Sequence, residues 1–247
     1  VMFIFFILLK FSVNFIPKMM KKTNSPRIFD GTIDGTNGLI VSQDPNLDDS
    51  VTIERSVNER KGVECTCSIW TFIDDNAISN EVGEHAHIFH KGDVLVGSTD
   101  KMHNIAAPGL YLKTDENTFV VKMNTFNTQN NIYEITDIPM NKWVNVIIRI
   151  KNQRMDVYIN GTIKRAIELG SVPKQNYGNI FVAQNQSSTS LNGSKLSNLW
   201  YYDYALNISE IQGLVVKGPN RTLISSYNSL IDNSTNYLSF NWYLNGI

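Results

Sequence analysis

The sequence is poor in cysteine, alanine and proline, and neither sign of charge is in excess. It contains 2 cysteines and 7 prolines in 247 residues. Two cysteines cannot form a disulfide framework, and a chain of this length buries enough apolar surface to fold without one. Its 22 basic and 23 acidic residues give a net charge of −1, so the composition offers no basic surface for nucleic acid. Scarce alanine beside abundant β-branched and aromatic residues favours strands over helices.

The first sixteen residues are almost entirely apolar and read VMFIFFILLKFSVNFI. A helix of this length spans about 24 Å, a little less than the roughly 30 Å hydrocarbon core of a bilayer. The run predicts a transmembrane anchor over residues 1–17. Its membrane contacts are expected from Phe3, Phe5, Phe6, Leu8 and Leu9. A cleaved signal peptide and a buried core segment are the alternatives; no small-residue cleavage site follows the run.

Basic residues cluster on the C-terminal side of the predicted anchor. They are Lys18, Lys21, Lys22 and Arg27. The positive-inside rule therefore predicts that the following domain lies on the cytoplasmic face of the membrane. Residues 18–26 form a polar linker between the anchor and that domain.

The two cysteines, Cys65 and Cys67, lie two positions apart in a predicted strand. Their side chains share one face of the strand and are poorly placed to bridge each other. Buried free thiols are therefore expected, in agreement with a reducing compartment. A metal half-site is the alternative, but the chain has no other cysteine to complete it.

From Arg27 onward, short alternating stretches are separated by Gly, Asn, Asp and Pro, a pattern typical of an all-β domain. Residues 64–73 carry apolar side chains on both faces, which predicts a central strand between two layers. Further strands are predicted at residues 28–33, 51–54, 88–91, 109–113, 118–123, 132–135, 178–183 and 195–204. Residues 143–169 predict a three-stranded meander, with Asn160-Gly161 in a type I′ turn.

One helix is predicted over residues 209–216. Asn207 or Ser209 is expected to cap it, and Gly218-Pro219 to end it. Its predicted buried face consists of Ile208, Ile211 and Val215. The tail, residues 219–247, contains YLSFNWYL, which predicts one more strand that covers a sheet edge or pairs with another subunit.

Five segments, in this order, resemble the concanavalin A-like lectin/glucanase superfamily in its laminin-G-like branch. They are CSIWTFI, IFHKGD, KWVNVIIRI, MDVYINGTIKR and LSNLWYYDYALNISEI. The resemblance covers about residues 27–218 and implies an all-β, two-sheet antiparallel jelly-roll sandwich. IPMNKWVNVIIRI, YINGTIKR and VPKQNYG, together with the apolar N-terminal run, also resemble lectin-fold proteins encoded by large double-stranded DNA viruses. That resemblance implies a virion component between an internal membrane and the capsid.

Glycoside hydrolysis is the activity that the glucanase branch implies. It needs two carboxylates on one strand, about 5–5.5 Å apart for retention or about 6.5–9.5 Å for inversion. Glu134 and Asp137 are three positions apart and would face opposite sides of a strand. No predicted strand carries the Glu-x-Asp-x-Glu pattern, so the chain is predicted not to be an enzyme.

The segment GEHAHIFHKGD contains three histidines. His85 and His87 share one face of a strand, and His90 would face the other way unless the strand bulges. Neutral imidazoles suit zinc or copper, so His85 and His87 are candidate metal ligands. The alternative is that they are surface or edge histidines with structural roles, as the Lys-Gly-Asp turn of the family implies.

Calcium is a second candidate metal, because the resemblance implies calcium sites in rim loops. Calcium prefers hard oxygen ligands, and Asp48 and Asp49, with Asp44 nearby, supply carboxylates in QDPNLDDS. Residues 74–76 are another acidic group. Loop aspartates also form turns, and no bound cofactor is predicted beyond this possibility of calcium.

Carbohydrate binding would combine loop polar groups with an aromatic platform. The candidates are Asp74, Asp75 and Asn76 in a rim loop, and Trp200 and Tyr202 in a strand. Leu199, Tyr201 and Asp203 alternate with Trp200, Tyr202 and Tyr204 along this strand. One of these two faces is therefore expected to fill the interior of the sandwich instead.

The leading hypothesis is a non-catalytic, membrane-anchored lectin-fold structural protein of a virion. Its expected partners are a lipid membrane, through residues 1–17, and capsid or other virion proteins. A carbohydrate-binding lectin module on a membrane surface is the alternative, and a divergent glycosidase is the third hypothesis.

Overall fold

The computed structural model describes residues 25–47, 50–54, 56, 63–78, 84–94, 102–129, 131–184 and 191–224. The predicted anchor, nearly all of the linker and the YLSFNWYL strand lie outside these residues. Among the residues described, no helix has both the length and the apolar character needed to span a bilayer.

Two antiparallel sheets of six strands each form the domain. The strands are β1 (Arg27–Asp34), β2 (Leu39–Val41), β3 (Glu64–Phe72), β4 (His85–Gly92), β5 (Ala106–Lys113), β6 (Phe119–Met123), β7 (Asn131–Ile135), β8 (Trp143–Lys151), β9 (Arg154–Ile159), β10 (Thr162–Glu168), β11 (Asn179–Val182) and β12 (Lys195–Tyr202). The first sheet has the order β1-β12-β3-β8-β9-β10, and the second has the order β2-β11-β4-β5-β6-β7. The predicted all-β, two-sheet sandwich is therefore confirmed.

The core lies between the two inner faces. Alternate residues of the strands point into it, as the period of two requires. The first sheet contributes Ile69, Val146, Ile148 and Val157, and the second contributes Ile88, Leu110, Leu112 and Val121. Each such fully buried side chain stabilises the fold by about 1.5–3 kcal/mol.

Strand β3 lies between β12 and β8, which confirms its predicted central position. The strand predicted at residues 51–54 is absent, because the side chain of Gln43 takes the place of a neighbouring strand. Its amide donates to the Val51 carbonyl at 2.6 Å and accepts from the Ile53 amide at 2.8 Å. The turn at Asn160 and Gly161 has φ values of 49° and 76°, which confirms the predicted type I′ conformation.

Helix α1 covers Ile208–Lys217, close to the prediction. Asn207 caps it and forms a reciprocal capping box with Glu210, and Gly218, with φ of 73°, ends it. The predicted buried face was wrong at Ile208, which is 72% exposed. The helix packs against the first sheet through the buried Ile211 and the partly buried Leu214.

The start of the tail runs along the edge strand β1. Thr32 donates its amide to the Thr222 carbonyl at 2.7 Å and accepts from the Ile224 amide at 2.9 Å. These bonds form an isolated parallel bridge between Thr32 and Leu223. Residues 222–224 therefore cover part of an otherwise open sheet edge.

Candidate functional site

Three histidines meet on the outer face of the second sheet. The pairing of β4 with β5 shifts register between His87 and Phe89, the mark of a β-bulge. Ile88 and Phe89 consequently both contact the core, and His87 and His90 approach each other on the opposite face. His103, from the loop before β5, completes what we call the histidine cluster. It was not among the predicted ligands, since no motif spacing connects it to β4.

The rings of the histidine cluster are in direct contact. His87 Nε2 lies 2.7 Å from His90 Nδ1. The His90 and His103 rings stack with centroids 3.7 Å apart, and Phe181 stacks on His90 at 4.9 Å. The three histidines are 7%, 0% and 4% exposed in sequence order, so the cluster is closed off from bulk water.

Hydrogen-bond partners assign the protons of two rings. The Gln184 amide donates to His87 Nδ1 at 3.0 Å, so the His87 proton lies on Nε2 and points at His90 Nδ1. His90 Nε2 faces the Asp93 carbonyl at 3.0 Å and must donate to it. His90 Nδ1 therefore carries a lone pair.

Burial keeps the cluster neutral. It lowers the pKa of His87 well below the usual value, that of His90 to about 3 and that of His103 to about 4. Mutual repulsion with neighbouring histidines adds to this for His87 and His90, and the Lys122 charge acts in the same direction on His90 and His103. Neutral imidazoles are the form that coordinates metals. His103 Nδ1 lies 3.2 Å from the Tyr111 hydroxyl, and burial raises the pKa of that tyrosine.

The other predicted metal ligands do not join the histidine cluster. His85 lies opposite Lys113 at the start of β4 and is not part of the group of potential ligands that the described residues form. Asp48 and Asp49 lie outside the described residues. Asp44 accepts from the backbone and side-chain nitrogens of Asn46 at 3.0 and 2.8 Å, so it shapes a turn.

The rim loop that follows β3 holds the predicted carbohydrate ligands Asp74, Asp75 and Asn76. Asp74 Oδ1 accepts from the Asn76 amide at 2.9 Å and from its side chain at 2.7 Å. Asp75 accepts from Asn141 Nδ2 at 2.6 Å. These bonds give all three residues a role in shaping the loop, and sugar binding by them stays a prediction.

Trp200 and Tyr202 lie on the outer face of the first sheet. The guanidinium of Arg27 lies 4.4 Å and the Lys217 amine 5.1 Å from the Trp200 ring centroid. Tyr202 stacks on Trp200 at 5.9 Å and also packs against the cluster that contains Ile211 of α1. The opposite face of β12 fills the interior between the sheets through Leu199 and Tyr201, as expected for one of the two faces of this strand. Intramolecular contacts surround Trp200 and Tyr202.

The two groups of predicted sugar ligands do not form one site. In the pairing of β12 with β3, Lys195 lies opposite Phe72 and Trp200 opposite Ser68. Asp74 lies six residues beyond Ser68, so about 20 Å of strand separates it from Trp200. A separate shallow depression of about 210 Å³ surrounds Trp200. Its polar lining includes Arg27, Asp30, Lys217 and Asn220.

An apolar cavity of about 470 Å³ lies between the sheets. Cys65 and Cys67 line it, and both are free and buried, as predicted. Burial raises the pKa of the Cys65 thiol to about 12. Lys91, also in its wall, donates to the carbonyls of Asn176 and Gly178 at 2.7 and 3.0 Å, and burial lowers the pKa of its amine to about 8.

The carboxylates considered for glycoside hydrolysis make other contacts. Glu134, on β7, forms an ion pair with Lys113 at 3.4 Å, and Asp137 lies beyond the end of that strand. The buried Asp156, which was not among these candidates, pairs with Arg149 at 2.9 Å. Basic residues of the same domain therefore engage both Glu134 and Asp156.

The fold and these sites define a lectin-type β-sandwich. A laminin-G family model, described as Concanavalin A-like lectin/glucanases superfamily, matches residues 44–212. The match covers more than half of the chain, so the protein belongs to this superfamily. A search of curated proteins gave no significant match.

Solved structures with the same fold include toxin binding domains. The binding domain of botulinum neurotoxin DC in complex with rat synaptotagmin II is 16% identical, with a TM-score of 0.51, over 75% of this chain and 41% of that one. The botulinum neurotoxin serotype G binding domain is 14% identical, with a TM-score of 0.50, over 75% and 46%. Trypanosoma rangeli sialidase is 14% identical, with a TM-score of 0.44, over 63% and 23%. The chain thus spans less than half of each of these three structures.

Proposed function

We propose that this protein is a non-catalytic, membrane-anchored lectin-fold structural protein of a virion, and that it acts through protein contacts between an internal membrane and the capsid. Its sandwich faces the side equivalent to the cytoplasm. The N-terminal apolar run supports the anchor, and the buried free thiols agree with a reducing compartment.

The packing around Trp200 carries this proposal. A sugar platform needs an aromatic face open to solvent, but Arg27, Lys217 and Tyr202 all lie against this indole. Asp74 is likewise used to shape its own loop. The candidate carbohydrate ligands of this sandwich are thus occupied by contacts with other residues of the same chain. Such a sandwich is suited to presenting a rigid surface to other proteins.

Cross-linking in purified particles of the encoding virus tests the structural role. We expect links between lysines of this sandwich and a major shell protein, at positions that recur between preparations. The proposal fails if the protein is absent from purified particles, or if it is present and links only to itself.

Flotation with liposomes tests the anchor separately. The full chain should float with phosphatidylcholine vesicles, and replacement of Phe5, Phe6 and Leu8 by aspartate should leave it in the dense fractions, since each charge strongly disfavours insertion. Replacement of Phe126, which is 71% exposed on the sandwich, is the matched control and should not change flotation. Flotation that survives the aspartate substitutions would contradict the anchor.

A carbohydrate-binding lectin is the second candidate, favoured by the polar depression beside Trp200. Its two cations suit the charge of an acidic sugar, and the edge of the indole suits a sugar ring. Asp30 pairs with Arg27 and neutralises part of that positive charge. A glycan array with the full chain distinguishes the two functions. Reproducible binding of one sugar class would favour the lectin if it is lost in W200A and kept in Y177A. Tyr177 is an exposed aromatic residue that does not line the polar depression. Hydrolysis of a β-glucan would instead revive the glycosidase hypothesis.

A further inference from the structure

We propose that His87, His90 and His103 form a binding site for a divalent transition-metal ion, with zinc as the first candidate. The site lies on the outer face of the second sheet. It is separate from the residues that carry the proposed function. Either proposal can therefore be refuted without affecting the other.

The spacing of the ligand atoms is close to that of a metal site. One nitrogen from each ring lies within 4.8 Å of the others. Zinc–nitrogen bonds of about 2.0–2.1 Å in tetrahedral geometry put nitrogens about 3.4 Å apart. The closest pair of nitrogens, His87 Nε2 and His90 Nδ1, is 2.7 Å apart. Metal binding would increase this distance by about 0.7 Å. The widest pair would close by at most about 1.4 Å. The stacked rings of His90 and His103 would also have to rotate out of their stack, so that both lone pairs point at one ion.

His103 supplies an independent sign of a ligand. Its Nε2 is buried and has no hydrogen-bond partner within the described part of the chain, while the residue is 4% exposed. Buried nitrogens without a partner are rare, because losing water without replacement costs free energy. If Nδ1 donates to the Tyr111 hydroxyl, 3.2 Å away, Nε2 keeps its lone pair free for a metal.

His90 is also held as metal-bound histidines are. Its Nε2 proton is fixed on the Asp93 carbonyl, so its Nδ1 lone pair faces the cluster. A carbonyl on the far nitrogen commonly orients a ligating imidazole.

Metal binding would change the tautomer of His87. Without metal, its Nε2 proton points at His90 Nδ1, because the Gln184 amide donates to Nδ1. A metal at Nε2 requires this proton to move to Nδ1, because a neutral imidazole carries one N–H. The hydrogen bond from Gln184 to Nδ1 is then lost, and its loss reduces the zinc affinity.

The ligand chemistry selects the metal class. Three neutral imidazoles suit zinc and copper, whereas calcium and magnesium require oxygen ligands. Lys122, on β6, which lies beyond β5 in the sheet, is a charged group that acts on the cluster. Its positive charge opposes a bound cation and limits the affinity, so K122M should strengthen zinc binding several-fold.

Calorimetric titration of the full 247-residue chain tests the proposal, after treatment with EDTA and dialysis. We expect one zinc ion per chain with a Kd of about 1 µM or tighter, and no heat from calcium. H90Q and H103Q should each weaken binding about 100-fold or more. H85Q, on the same strand but outside the cluster, is the matched control and should stay within about threefold of the wild type. No saturable zinc binding, or equal losses in H85Q and H103Q, would overturn the assignment.

A measurement on the wild type keeps the test valid if a variant does not fold. Cobalt should give the intense visible absorption of a four-coordinate site, and X-ray absorption of the zinc form should show nitrogen ligands at about 2.0 Å. Sulfur at about 2.3 Å would place the metal at Cys65 and Cys67 and would refute the histidine site.

Discussion

The backbone of Gly92 is packed so tightly that a single methyl group should destabilise the protein measurably. A Cβ atom at Gly92 would lie 1.8 Å from the Ile105 carbonyl oxygen and 2.7 Å from its carbon. Real Cβ contacts essentially never fall below 3.0 Å, so Ile105 must move by about 1.2 Å or more in G92A. Ile105 immediately precedes β5 and is two residues from His103. The shift therefore disturbs both the sheet and the histidine cluster.

We expect G92A to cost about 3 kcal/mol, which for a domain of this size lowers Tm by roughly 6–12 °C. The control is G213A, at an open helical position where a Cβ meets nothing within 4 Å. It should stabilise the protein by about 0.5–1 kcal/mol. Thermal unfolding followed by circular dichroism measures both. A G92A variant that melts within about 2 °C of the wild type would show that the close approach is not rigid and would refute the reasoning.

Three further predictions follow from buried groups. Because burial raises its pKa to about 12, Cys65 should resist Ellman's reagent at pH 8 until guanidinium is added; rapid modification of native protein would count against this. D156A removes a carboxylate that is 3% exposed and should lower the free energy of unfolding in urea by about 3 kcal/mol. R154A removes a side chain that is 51% exposed and should lower it by less than about 1 kcal/mol. Equal losses of stability in the two variants would contradict the role of burial. Burial lowers the pKa of His90 to about 3 and that of His103 to about 4, from an ordinary 6.5. As the pH falls, the unfolded chain therefore binds protons at these residues before the folded chain does. Tm should consequently fall as the pH drops from 6.5 to 5. The H90Q/H103Q variant should show a smaller pH dependence, and His87, whose pKa burial also lowers, should account for part of what remains. An unchanged slope would exclude His90 and His103 as its source.

The sandwich was predictable because its strands carry local signals. The apolar alternation of β8 and β9 and the Asn160-Gly161 dipeptide encode a hairpin that needs no distant partner. The strand expected at residues 51–54 failed for the opposite reason. Its hydrogen-bond partner is the side chain of Gln43. A side chain that replaces a neighbouring strand leaves no periodic pattern in the sequence.

The histidine cluster was only partly predictable. Alternation along β4 pairs His87 with His85, and only a bulge brings His90 to the same face. The bulge depends on register with β5, which the local sequence does not encode. His103 lies thirteen residues beyond His90 in the sequence, and no spacing rule connects the two. It reaches the cluster because it precedes β5, which pairs with β4.

The Lys-Gly-Asp turn illustrates how a family motif can describe a fold without describing a ligand. Lys91 holds the backbone at Asn176 and Gly178, and Gly92 permits the approach of Ile105. The Asp93 carbonyl, rather than its carboxylate, fixes the His90 ring. The motif therefore has a structural role at each position, and none of its side chains is required to bind a metal.

A structural role of this kind does not explain the three histidines of the cluster. The outer face of the second sheet buries His87, His90 and His103 beside Lys122, although apolar side chains there would avoid the cost of desolvating imidazole and ammonium groups. Phe181 on the same face shows that an apolar residue fits. A fold selected for stability alone has no need of three neutral imidazoles that become destabilising when protonated. Groups that break the local rule without a structural gain are where function is expected, and a metal bound by the three imidazoles would supply that gain.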